Sequence, residues 1–165
     1  MIRYVLIIST FIFGFLLYEP QQVINSTTNS NYNFDVAELN NFNTGILFID
    51  IFINNLIICF FIAFFGYISV GLVSLIVMFW NGFLLSMFVK TGYSLMSLSD
   101  FIYFSKHIPL ELFSIFLFAN FGLNGFEFYK KLIIKNEIHL IDKREFTRLL
   151  LPLVLLLISS IIETL

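Results

Sequence analysis

One stretch dominates the pattern of apolar and polar positions. From Ile51 to Val89, IFINNLIICFFIAFFGYISVGLVSLIVMFWNGFLLSMFV, 39 residues pass without an Asp, Glu, Lys or Arg. As a helix this length runs roughly 58 Å, close to twice a hydrocarbon core of ~30 Å, so one straight span cannot use it. Two spans joined by a tight apolar turn can, and Gly66 and Gly71 mark where the turn is expected. Every backbone polar group in lipid needs an internal partner, so the pattern predicts a membrane helical hairpin.

The apolar runs and polar connections around the hairpin predict three further helices. Residues 4–18 form an apolar run behind Arg3, closed by Tyr18, Glu19 and Pro20. A signal peptide starts similarly, but no small-x-small site directly follows the run, which favours an uncleaved first helix. Residues 19–45 form a polar loop rich in Asn, Ser and Thr, without Lys or Arg, with room for a short amphipathic piece around Phe34–Phe42. The sequon Asn25-Ser26-Thr27 would matter only in a eukaryotic secretory pathway, which nothing else suggests. The hairpin helices are expected at about 46–65 and 70–89, a fourth at about 109–128 with Pro109 in its first turn, and a fifth at about 146–162. Between the third and fourth, Asp100–Lys106 has the aromatic character of an interfacial segment.

Charge placement orients the bundle. The segment 129–148 holds Lys130, Lys131, Lys135, Lys143, Arg144 and Arg148, six of the nine basic residues. In a five-span arrangement this basic loop shares a side with Arg3, and the 19–45 loop takes the other. The positive-inside rule then puts the N-terminus and the basic loop in the cytoplasm and the C-terminus outside, with Lys90 and Lys106 as exceptions.

Composition agrees. Of the 165 residues, 59% are hydrophobic and 12% charged, beyond what a soluble domain of this size hides in a core. The expectation is all-α: one integral membrane domain, 1–165, a polytopic helical bundle in a bacterial cell membrane. The 23 Phe and many Asn and Ile point to codon bias more than to function. Cys59 is the lone cysteine, so no intramolecular disulfide forms, and it reads as a small buried hydrophobe.

Once the topology is fixed, the polar residues in the spans acquire depths. Asp50, Asn54 and Asn55 fall in the outer half of helix two and Asn81 somewhat outside the midplane of helix three. His107 and Glu111 lie at the outer mouth of helix four and Glu163 at the outer end of helix five. These seven converge on one leaflet. Asn120, Asn124 and Glu127 form a smaller group near the cytoplasmic face. Ionisable residues in spans usually face a bundle interior, pore or partner. Asp50 and Asn54, one turn apart, are placed to hydrogen-bond each other, and Glu111 in the first turn of its helix meets the positive end of the dipole. The leading reading of the outer group is structural polar glue, ahead of a partner or substrate contact and of proton or ion chemistry. His107 and Glu111 alone are too few for a zinc site.

Small residues mark where helices approach closely. Ala63 and Gly66, Gly71 and Ser74, and Ala119, Gly122 and Gly125 are each three residues apart, fitting close packing without matching the GxxxG motif. Gly82 beside the mid-span Asn81 leaves room for a neighbouring backbone.

Catalytic motifs are missing from the sequence: no phosphate loop, HExxH, GxSxG or CxxC occurs. Lys90-Thr91-Gly92 has no SxxK companion, and Ser69 lacks a histidine in a later span to act as its base. No catalytic, cofactor or metal residue is assigned. The basic loop, interspersed with Glu137, Asp142 and Glu145, reads as lipid-facing and not as a nucleic-acid site.

Phe52-Ile-Asn-Asn55, Gly66, Gly71, Asn81-Gly82, His107-Ile-Pro-Leu-Glu111-Leu, Gly122 and a terminal Ile-Ile-Glu163 occur in an order that resembles the stage II sporulation protein M family (DUF95) over about residues 46–165. The most specific pieces are the His-x-x-x-Glu step opening a membrane helix and the mid-span Asn-Gly. Ile108 stands where the family commonly has Gly. The resemblance implies a short polytopic member without catalytic activity. It implies either a scaffold for a cell-wall hydrolase complex, or an accessory subunit in peptide or bacteriocin export or immunity, working with ABC transporter subunits on a peptide substrate.

Overall fold

A computed structural model of the chain describes residues 2–19, 44–135 and 147–165, and every element among them is helical. The helices are α1 (Ile2–Leu17), α2 (Thr44–Ile68), α3 (Leu72–Leu95), α4 (Leu98–Ser105), α5 (Ile108–Gly122), α6 (Asn124–Lys135) and α7 (Leu150–Thr164). The amphipathic piece expected at Phe34–Phe42, the sequon at Asn25, and Lys143 and Arg144 lie outside the described residues.

Phe48–Ile68, Leu72–Ser94 and the run Leu98–Ile134 are long and apolar enough to cross a membrane, and α1 and α7 are shorter apolar helices. Their outer faces carry large apolar side chains in the open, among them Ile57, Phe60, Ile76, Trp80 and Leu151. Such a surface suits lipid as solvent, with the backbone satisfied inside each helix. The protein is a helical membrane bundle.

The centre of the bundle is α5, which packs against α1, α2, α3, α6 and α7. It buries Ser114, Ile115, Phe118, Ala119, Phe121 and Gly122. α1 lies along α3, and α7 fits between α5 and α2. Glycine sets the spacing of the α1–α3 pair reciprocally. A Cβ on Gly14 would overlap the Phe79 carbonyl, and one on Gly82 would overlap the Phe11 carbonyl. Without a hydrophobic drive between helices in lipid, such close backbone approach is what holds them together.

The hairpin turn is three residues long and differs from expectation. It comprises Ser69, Val70 and Gly71, and α2 runs on through Gly66 to Ile68. Gly66 serves packing: a Cβ there would strike Ser74 Oγ and come within 3.1 Å of Gly122 Cα. The Gly71 amide donates to the Gly66 carbonyl over 2.7 Å, the long bond of a Schellman end. Val70 occupies the left-handed position of that motif at φ 61, and Gly71 follows at φ 94. Ser69 Oγ accepts from the Val73 amide at 3.0 Å and so opens α3.

Two further boundaries shift. α3 continues past Val89 to Leu95, since Lys90 is satisfied within the bundle: its amine donates to the Tyr18 carbonyl at the end of α1 and lies 5.9 and 5.8 Å from the Phe15 and Tyr18 rings. The fourth span breaks at Leu123 and resumes as α6, so Tyr129 to Lys135, expected as loop, is helical. The segment expected at the interface forms α4, capped by Ser97 Oγ accepting from the Asp100 amide at 3.3 Å, with Phe101 stacked 5.6 Å from Phe88.

Candidate functional site

Polar groups collect at both ends of the bundle. At one end, where α5 begins and α7 finishes, His107 Nε2 lies 3.8 Å from a Glu111 carboxylate oxygen and 3.9 Å from one of Glu163. These separations exceed hydrogen-bond length. The His107 carbonyl opens α5 by accepting from the Leu110 amide at 3.1 Å and the Glu111 amide at 3.2 Å. Ser159 Oγ of α7 donates to the same carbonyl over 3.1 Å, and Ser114 Oγ of α5 donates to the Pro152 carbonyl over 2.7 Å. Serines thus staple α5 to α7 at two levels. Tyr103 of α4 reaches over to donate to the Leu165 carbonyl at 3.0 Å, and Lys106 sits 3.9 Å from the Tyr103 ring centre.

Of the seven outer polar residues singled out from the sequence, the fold gathers His107, Glu111 and Glu163. Asn81 turns back on its own helix, its amide donating to the Val77 carbonyl at 2.9 Å. Asp50 and Asn54 stand exposed on α2, and neither hydrogen-bonds the other or any other described residue; Asn55 is half-buried beside them. A polar group on an apolar, outward face of a spanning helix is costly unless something else covers it.

Arg3 organises the opposite, basic end. Its guanidinium bonds the Asn124 side-chain carbonyl and pairs with Glu127 at 3.2 Å, tying α1 to α6. Asn120 donates to the Tyr4 hydroxyl at 3.3 Å. The sequence placed Arg3 on the side of Asn120, Asn124 and Glu127, but nothing in the spacing named it as their partner.

Beside the basic end α2, α3 and α5 meet. Ser74 Oγ of α3 donates to the Ile62 carbonyl of α2 over 3.1 Å. The same hydroxyl fills the space that a Cβ on Gly66 or Gly122 would need. Gly125 backs onto the Tyr67 backbone and Gly71 onto Leu123, so the break between α5 and α6 nests against the hairpin turn.

Ser74, Ser114 and Ser160 donate to backbone carbonyls, and Ser159 meets the His107 carbonyl and not its imidazole. Among the described residues Ser86 Oγ is buried without a hydrogen-bond partner, and Cys59 is buried as a free thiol. Among the described residues no group of three His, Cys, Asp or Glu side chains is placed to hold a metal ion. The arrangement joins helices and presents charge.

The family model of Stage II sporulation protein M matches residues 4–165, which extends the resemblance across α1. No curated protein and no solved structure matches the chain.

Proposed function

The chain belongs to the stage II sporulation protein M family, and from that premise we propose that it is a non-enzymatic scaffold or accessory protein that recruits a partner within the bacterial cell membrane. The bundle crosses the membrane five times, with the Arg3 and Lys130 end in the cytoplasm by the positive-inside rule. One observation carries the reading: the Asp50–Asn54 stripe on the exposed face of α2, without a partner among the described residues. Asn54 lies six residues inside the apolar segment that starts at Phe48, about 9 Å deep, where a bare amide facing lipid is unfavourable. A polar group on the span of a partner protein would satisfy it. The His107–Glu111–Glu163 group then serves to hold α5 and α7 together at the outer rim beside that surface.

A photoreactive residue in place of Phe61, exposed on the same face two turns below Asn54, tests this in native membranes. Capture of a cell-wall hydrolase complex supports the scaffold. Capture of an ABC transporter subunit or a precursor peptide moves the assignment to export or immunity. Capture that persists unchanged in an Asn54→Leu background would remove the polar stripe from the argument.

A further inference from the structure

At the basic end two cavities lie side by side. The larger, about 1100 Å³, is an apolar groove between α2, α5 and the start of α7, walled by Leu56, Phe60, Phe118 and Leu153 among others. Its α2 wall extends from Leu56 to Ile68, about 18 Å of helix, comparable to one leaflet of a ~30 Å core. The smaller cavity, about 400 Å³, has Tyr4, Asn120, Asn124 and Arg148 in its lining. Phe121 and Leu149 line both, so the polar pocket adjoins the groove at the start of α7.

The free hydrogen-bonding capacity of that pocket is mostly of one kind. The Tyr4 hydroxyl accepts from Asn120 and keeps its own proton to donate. The Asn124 side-chain carbonyl is taken by Arg3, which leaves its amide hydrogens. Arg148 makes no hydrogen bond or ion pair with any described residue. The carboxylate next to the pocket, Glu127, is already engaged by Arg3 at 3.2 Å, and Lys130 and Lys131 follow on α6. A cation, a hydroxyl and an amide offering hydrogens suit an anionic, acceptor-only group, and phosphate is such a group. The wall beyond it accepts only hydrocarbon.

We propose that α2, α5 and α7 hold one anionic phospholipid of the leaflet at the basic end, with an acyl chain along the groove and its phosphate on Arg148, Asn124 and Tyr4. The inference rests on the membrane reading and is independent of what docks at Asn54. An arginine without a partner among the described residues, beside an apolar groove, thereby acquires both its counter-charge and its cover.

Native mass spectrometry of the full chain in a mild detergent, titrated with dioleoyl phosphatidylglycerol or dioleoyl phosphatidylcholine, tests it. One phosphatidylglycerol is expected to bind at least about tenfold tighter than phosphatidylcholine, which offers the same phosphate but adds a quaternary ammonium that the basic end repels. Arg148→Gln should bring that ratio near one and Arg148→Lys should keep part of it. Ile57→Trp, filling the groove from a position already 61% exposed, should lower retention of both lipids. Equal retention of the two lipids by the unaltered protein overturns the proposal, as does an undiminished preference in Arg148→Gln. A photoreactive group at Ile57 that captures protein in native membranes in place of lipid overturns it as well.

Discussion

Gly82 and Val70 show how much of this protein is decided one atom at a time. Gly82 lies against the Phe11 carbonyl of α1, so any side chain there pushes two helices apart. Gly82→Leu is expected to destabilise the bundle by at least ~3 kcal/mol, seen as a lowered melting temperature in detergent and protease-accessible α1. Val70 is the opposite case, a β-branched residue held at φ 61 where glycine or asparagine is usual. It is 42% exposed, so little packing is lost on its removal. Val70→Gly is expected to raise stability by about 1 kcal/mol in the same melting assay, and a drop would mean that the turn is not strained. The sequence flagged Gly82 because it sits beside Asn81 in mid-span. It offered no sign of Gly14, whose lone glycine in an apolar run matches no motif, or of Val70, where propensity argues against the conformation adopted.

Cations and serines decide which helices pair and where they end. Lys90 and Lys106 break the charge rule on paper, yet each is accommodated locally. Lys90 caps the carbonyl end of α1, and Lys106 lies over Tyr103. Lys90→Gln should cost about 1 kcal/mol through the lost helix-end charge and ring contacts, while Lys130→Gln on exposed α6 should change stability by less than about 0.5 kcal/mol. Equal effects in a melting comparison would discount the cap. Ser74 joins three helices with one hydroxyl, and Ser74→Ala should cost about 0.5–1.5 kcal/mol, the range for hydrogen bonds between membrane helices. The sequence paired Ser74 with Gly71 as a packing step. It did not show Ser114 and Ser159 as the seam between α5 and α7, with Ser160 turned back on the Leu156 carbonyl of α7, because a serine in an apolar run looks the same whether it bonds its own helix or another.

Orientation and the division into two polar ends belong to the whole molecule. Single cysteines at Tyr93, 70% exposed, and at exposed Lys130 mark opposite ends, and the buried Cys59 stays out of reach of a bulky reagent. A membrane-impermeant maleimide is expected to label Tyr93→Cys in intact cells and Lys130→Cys only after the membrane is opened; the reverse pattern would invert the bundle. At this scale the outer polar group expected from depth alone separates into parts. His107, Glu111 and Glu163 meet, Asn81 closes on Val77, and Asp50 and Asn54 face outward. Depth along the membrane normal is readable from the sequence; angle around each helix is not.

That distinction follows from the solvent. The bilayer charges each residue a cost set by its depth, so runs of apolar residues and flanking cations determined the helices, their approximate ends and the basic side without reference to any neighbour. Lipid and protein interior are equally apolar, so helices apolar all round carry no amphipathic stripe to say which face turns inward. Only the packed bundle decided that Gly14 meets Phe79, that Arg3 reaches Asn124 and Glu127, and that Ser74 closes onto Ile62. Those choices rest on close backbone approach and hydrogen bonds between residues far apart in the chain, which no local pattern encodes.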